Sequence, residues 1–148
     1  MNRRTFISGL FVPSLLKAQT VEDSILIVNI TGIKKRSGCL LIGVFDSAAD
    51  MEASKFSGGD KRSIAWKVVK VKRSVASVCF IGIPNGVYSV GVIHDANNNK
   101  RLDTAFGKPI ESFGISRNPY VKYKYPKWTE VSFKKTGETK VNIILKQI

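Results

Sequence analysis

The amino-acid sequence predicts an all-β chain folded as a single two-sheet sandwich of about seven strands. Three observations carry that expectation. Short β-branched or alternating apolar segments recur along the chain, turn signals interrupt them at intervals near ten residues, and nowhere do apolar residues repeat at the helical period. Residues 19–148 contain no internal repeat and no linker, so one domain is expected there.

The segments justify themselves in order. Ile25–Ile30 is β-branched and mildly alternating, and the Gly-bounded basic stretch Thr31–Gly38 turns it into the next strand. Cys39–Phe45 is almost continuously apolar, as expected of a central strand covered on both faces. From Ser47 to Phe56 the β pattern breaks. Ser47 with Asp50 three residues later has the form of a helix start, so a short helical excursion is expected. Ile64–Val71 reads as a strand with a bulge, because the apolar parity changes between Val68 and Val69. Val75–Ile83 follows, and Pro84-Asn85-Gly86 turns it into Val87–Ile93, with Tyr88, Val90 and Val92 on one face. After a long polar loop from Asp95, two last strands are expected at Thr129–Phe133 and Lys140–Leu145.

The N-terminus reads as a removable leader. Residues 1–18 have a basic start, an apolar stretch of eleven residues from Phe6 to Leu16, and a small residue at Ala18 where cleavage would fall. Arg3-Arg4 followed by Thr5-Phe6-Ile7 resembles the twin-arginine export signal. The stretch is too short to span a bilayer, which takes about 20 apolar residues, and no later segment approaches that length. A periplasmic or secreted bacterial protein is therefore expected, not an integral membrane protein. Twin-arginine export carries folded proteins, so on that route neither a disulfide nor a metal could be essential for reaching the native state. In an oxidising compartment Cys39 and Cys79 could pair; equally, both lie in apolar runs and could be buried free thiols.

The charge is unusual. The chain carries +13, with 24 Lys+Arg against 11 Asp+Glu, and loss of Arg3, Arg4 and Lys17 with the leader leaves +10. Such a chain favours anionic partners, of which acidic glycan or lipid suits the envelope better than nucleic acid.

The loop after Ile93 is where chemistry concentrates. Asp95, Asn97, Asn99 and Asp103 form Asp-x-Asn-x-Asn-x-x-x-Asp, and alternate oxygens on a tightly wound chain can converge on a hard cation such as Ca²⁺. The carbonyl of Arg101 would fill the seventh position, and Glu111 could fold back to close the shell in place of Phe106 at the twelfth. With Lys100 at the sixth position, where a sharp turn favours Gly, the affinity would be weak, on the order of 10⁻⁴–10⁻³ M. The alternative is that the same Asp and Asn residues only make side-chain-to-backbone turns.

Phe80-x-x-Ile83-Pro84-Asn85-Gly86-Val87-Tyr88, His94-Asp95-x-Asn97-x-Asn99, Leu102-Asp103, Gly107-x-Pro109-x-Glu111 and Phe113-Gly114-Ile115-Ser116-x-Asn118 together resemble the domain of unknown function 2141, a family of small exported bacterial proteins. Gly38-x-Leu40-x-Ile42-x-Val44-Phe45 fits its first strand. The resemblance implies a compact β-sandwich similar to transthyretin-like (prealbumin- or Ig-like) and carboxypeptidase-regulatory-like domains, and it implies no activity. The chain departs from the family pattern at Asn98 and Lys100, where Gly is expected.

A second feature is Tyr120–Trp128, in which Tyr123, Tyr125 and Trp128 interleave with Lys122 and Lys124. Rings beside cations suit ligand stacking, and they equally suit an edge segment whose rings cover the core. Three function classes follow: a non-catalytic binding or accessory module, an enzyme using His94, Asp95 and Glu111 as acid and base groups, or a basic surface protein binding anionic glycan or lipid. No Gly-x-Ser-x-Gly or His-Glu-x-x-His occurs, and the single His cannot build a multi-His metal centre, so a non-enzyme is expected.

Overall fold

A computed structural model describes residues 24–54, 62–119 and 124–147. The leader, Lys122 and Tyr123, and the end of the expected helical excursion lie outside these residues.

The chain is an all-β sandwich. Its first sheet holds β1 (Leu26–Thr31), β4 (Ala76–Phe80) and β10 (Thr139–Ile144) in the order β10-β1-β4. The second holds β2 (Cys39–Phe45), β3 (Ala65–Lys70), β5 (Gly86–Asp95) and β8 (Phe113–Ile115) in the order β3-β2-β5-β8, with β9 (Phe133–Lys135) also paired to β5. β1 and β10 run parallel, in register from Leu26↔Thr139 to Thr31↔Ile144, so the first and last strands of the domain lie side by side.

Period-two alternation places the core between the sheets. Leu26, Val28 and Ile30 of β1 and Val141 and Ile143 of β10 face Leu40, Ile42 and Val44 of β2 and Tyr88, Val90 and Val92 of β5. The apolar continuity of Cys39–Phe45 has its expected cause, because the outer face of β2 is covered too. Leu41 and Cys39 pack with Ile93, Phe113 and Leu102 of the long loop. Phe45 packs with Met51, Ile115, Val131, Tyr125 and Trp128. Met51 belongs to α1 (Ala48–Ser54), which Ser47 caps by accepting from the Asp50 amide at 3.2 Å.

Three expectations are corrected. Thr129–Phe133 is not a strand: α2 (Trp128–Val131) is a helical turn that Glu130 closes by accepting from the Lys127 amide at 2.7 Å, and β9 starts only at Phe133. Ile64–Val71 contains no bulge, since β3 pairs β2 without interruption from Val44↔Ala65 to Cys39↔Lys70. The parity change arises because β3 is an edge strand. Trp66 and Val68 stay on its exposed outer face, while Lys67 points inward, donates to the Cys79 carbonyl and lies 5.2 Å over the Phe80 ring. Finally, Cys39 and Cys79 are free. Cys39 is buried on the outer face of the second sheet and Cys79 is exposed on the outer face of the first, so the core separates the two thiols.

Candidate functional site at the end of the sandwich

The His94–Glu111 segment leaves the end of β5, crosses the outer face of the second sheet through Leu102, and returns to β8. Within it lies a two-stranded hairpin, β6 (Thr104–Ala105) with β7 (Lys108–Pro109), inside the stretch expected to be irregular.

Two buried carboxylates hold this segment in place. Asp95 is completely buried; one of its oxygens accepts from the Asn99 amide at 3.1 Å and the other from the Lys100 amide at 2.7 Å. Glu111 folds back onto the loop and takes the Ala96 amide at 3.0 Å and the Asp103 amide at 3.1 Å. Four backbone N–H groups that no strand ladder serves thereby end on charged oxygens, which a tightly wound loop requires. Asn97 Oδ1 accepts from the Asn99 amide and Asn99 Oδ1 from the Arg101 amide, two successive Asx turns. The side-chain amides of Asn97 and Asn99 both donate to Asp103, the latter at 2.6 Å, and Arg101 Nε lies 3.8 Å from the same carboxylate.

Asp95, Asn97, Asn99, Arg101, Asp103 and Glu111 are thus brought together as one hydrogen-bonded unit. Asp103 receives N–H donors from the two asparagines, not their oxygens. The winding puts Asn98 at φ 59° and Lys100 at φ 62°, left-handed conformations that favour Gly.

His94, 3% exposed, sets its Nε2 at 2.8 Å from the Ser37 carbonyl. A carbonyl only accepts, so Nε2 carries the proton. Cys39 donates to Asp95 at 3.7 Å. Burial first, and the Asp95 charge second, push its thiol above the ordinary value, so it stays protonated. Gly38 explains how the preceding turn comes so close: at φ 74° its missing Cβ would lie 2.1 Å from the Asp95 carbonyl oxygen.

Beside this unit opens a cleft of about 260 Å³ bordered by Lys34, Lys35, His94, Asn97, Glu111 and Gln147. Lys34 and Lys35 are exposed and make no ion pair with the described residues. Sequence reasoning saw a basic turn there but did not connect it with the loop; the connection comes from the close approach at Gly38. At the other end of the second sheet, Tyr125 donates to the Met51 carbonyl at 3.1 Å and Trp128 packs on the same cluster, while Lys124 is exposed. Those rings cover core. Burial pushes the Tyr125 phenol up.

Among the described residues no three His, Cys, Asp or Glu side chains group as metal ligands, and no helix is long and apolar enough to cross a membrane. In comparisons with known proteins, residues 28–143 match the family profile described as an uncharacterized protein conserved in bacteria, DUF2141. Searches of curated proteins and of solved structures returned no match.

Proposed function

This chain belongs to the DUF2141 family of bacterial proteins, and on that premise we propose that it is an exported, non-catalytic binding or accessory domain of the cell envelope. The observation that carries the reading is the employment of the polar groups in the end loop. His94, Asp95 and Glu111, the residues an enzyme reading would need, are buried and each holds backbone: Ser37, then Asn99 and Lys100, then Ala96 and Asp103. A general acid or base must reach the proton it transfers, and these groups are committed elsewhere. The cleft that His94 and Glu111 border also carries the exposed Lys34 and Lys35, which suit an anionic ligand of glycan or lipid type. Export rests on the Arg3-Arg4 leader of residues 1–18.

Two measurements test this. Assay of the purified protein against ester, glycoside and phosphate substrates should give no turnover; turnover abolished by His94→Ala or Glu111→Gln at an unchanged melting temperature would overturn the non-catalytic reading. Arg3→Lys with Arg4→Lys should strand the protein in the cytoplasm, and unchanged fractionation would overturn the twin-arginine route.

A second reading keeps Ca²⁺ as a weak ligand of the loop, favoured by the convergence of Asn97 and Asn99 on Asp103. A cation there requires both amides to turn their oxygens inward, at the loss of two Asx turns. Thermal melts with Ca²⁺ and with chelator decide it: a rise that Asp103→Ala abolishes supports the ion, and coincident midpoints dispose of it.

A further inference from the structure

Phe106 stands at the apex of the β6–β7 hairpin with its side chain wholly in solvent, at 106% relative exposure. Its backbone is at φ 51° and that of Gly107 at φ 74°, so both residues of this two-residue turn are left-handed. Such turns favour Asn-Gly or Gly-Gly, and a bulky aromatic at the first position is strained. Neither packing nor turn geometry accounts for a phenylalanine here, and strain at an exposed tip is a recognised mark of function.

The surroundings say what the tip meets. Lys100, Arg101 and Lys108 flank the hairpin and are exposed, and Ile110 at its base is 49% exposed. Residues 104–110 contain no acid. The carboxylates of the loop are turned inward or bonded: Asp95 and Glu111 are buried, and Asp103 is held by Asn97 and Asn99. One exposed apolar ring thus stands in a stretch whose exposed charges, Lys100, Arg101 and Lys108, are all cationic.

We propose that this hairpin tip is a membrane-contacting finger: Phe106 enters the interface of an anionic phospholipid bilayer while Lys100, Arg101 and Lys108 engage its headgroups. Aromatic rings settle at headgroup depth, and each nearby cation adds attraction to an anionic leaflet. One ring and three cations make a weak, reversible, salt-sensitive contact. The inference rests on the envelope reading and names the partner of that same end of the sandwich.

The test is flotation of the full chain with vesicles of phosphatidylcholine alone or with about 30 mol% phosphatidylglycerol. Every variant carries the same N-terminus, so the leader contributes equally and the difference reports the tip. Partition should require the anionic lipid, fall at about 0.5 M salt, and drop at least about tenfold in Phe106→Asn. That substitution restores the favoured Asn-Gly turn, so its melting temperature should not fall below the parent's. Lys108→Glu should weaken binding without changing the melt. Partition unchanged in Phe106→Asn, or absent from anionic vesicles in the parent, overturns the finger. Lipid-free self-association lost in Phe106→Asn assigns the tip to a second copy and overturns it too. Cytoplasmic retention of the parent chain in cells would sink the envelope reading while leaving these vesicle results as they stand.

Discussion

Removing the Glu111 carboxylate should release the end loop and cost much of its stability. Glu111 is 7% exposed and accepts two backbone N–H groups, from Ala96 at 3.0 Å and Asp103 at 3.1 Å, across the base of the hairpin. Hydrogen bonds to a charged acceptor contribute about 1.5–3 kcal/mol each, so Glu111→Ala removes roughly 3–6 kcal/mol of bonding. Ala96 and Asp103 are only half-buried, so water entering the gap recovers part of this. The expected net cost is about 2–4 kcal/mol. For a chain of 148 residues that lowers the melting temperature by roughly 4–16 °C. Urea unfolding followed by tryptophan fluorescence measures it, with an unchanged m-value showing that only stability has moved. Amide exchange at Ala96 and Asp103 should accelerate while the β1–β10 ladder keeps its protection. A Glu111→Ala variant within about 0.5 kcal/mol of the parent, with both amides still protected, would falsify the assignment of Glu111 as the clamp of this loop.

Other outcomes follow from the same geometry. A methyl on Gly38 meets the Asp95 carbonyl oxygen at 2.1 Å and the Ala96 Cα at 2.7 Å, whereas one on Gly82, at φ 89°, meets nothing within 4 Å. Denaturation should therefore show Gly38→Ala losing more than about 3 kcal/mol and Gly82→Ala only about 1, the shared strain; equal losses refute the collision. A thiol reagent added to the native protein should label exposed Cys79 and reach Cys39 only on unfolding, and a non-reducing digest should contain no Cys39–Cys79 bridge. Tyr125 has its phenol raised from 10.0, by burial first, so the folded chain keeps a proton that the unfolded chain releases. Its contribution is complete below pH 10 and is lost as pH climbs beyond it. Tyr125→Phe should flatten the alkaline limb of a stability-versus-pH curve, and an unchanged limb would exclude Tyr125 as its source.

The strands were legible wherever alternation met burial. Tyr88, Val90 and Val92 share a face in the sequence and face the core in the fold, as do Val141, Ile143 and Leu145. The doubly covered Cys39–Phe45 strand announced itself by its unbroken apolar run. Legibility failed where a position answers to a distant partner. The β propensity of Thr129–Phe133 yielded to Glu130 closing a helical turn, and the parity of Ile64–Val71 misled because Lys67 spans two sheet edges that meet only in three dimensions. The buried Lys135, whose Nζ donates to the Gly137 carbonyl at 2.7 Å, carries no local sign of its burial.

For the end loop the division is sharp. Sequence spacing by itself determined that Asp95, Asn97, Asn99 and Asp103 belong to one wound loop and that Glu111 could return to it, because side chains two apart on a tight chain converge whatever surrounds them. Only the tertiary structure decided which backbone N–H groups meet the loop's carboxylates: Asp95 takes those of Asn99 and Lys100, and Glu111 takes those of Ala96 and Asp103, because the fold leaves these groups outside any strand ladder. The same holds for Phe106: its place in the chain was plain, but that no part of the described protein covers it depends on where a hairpin ends in space.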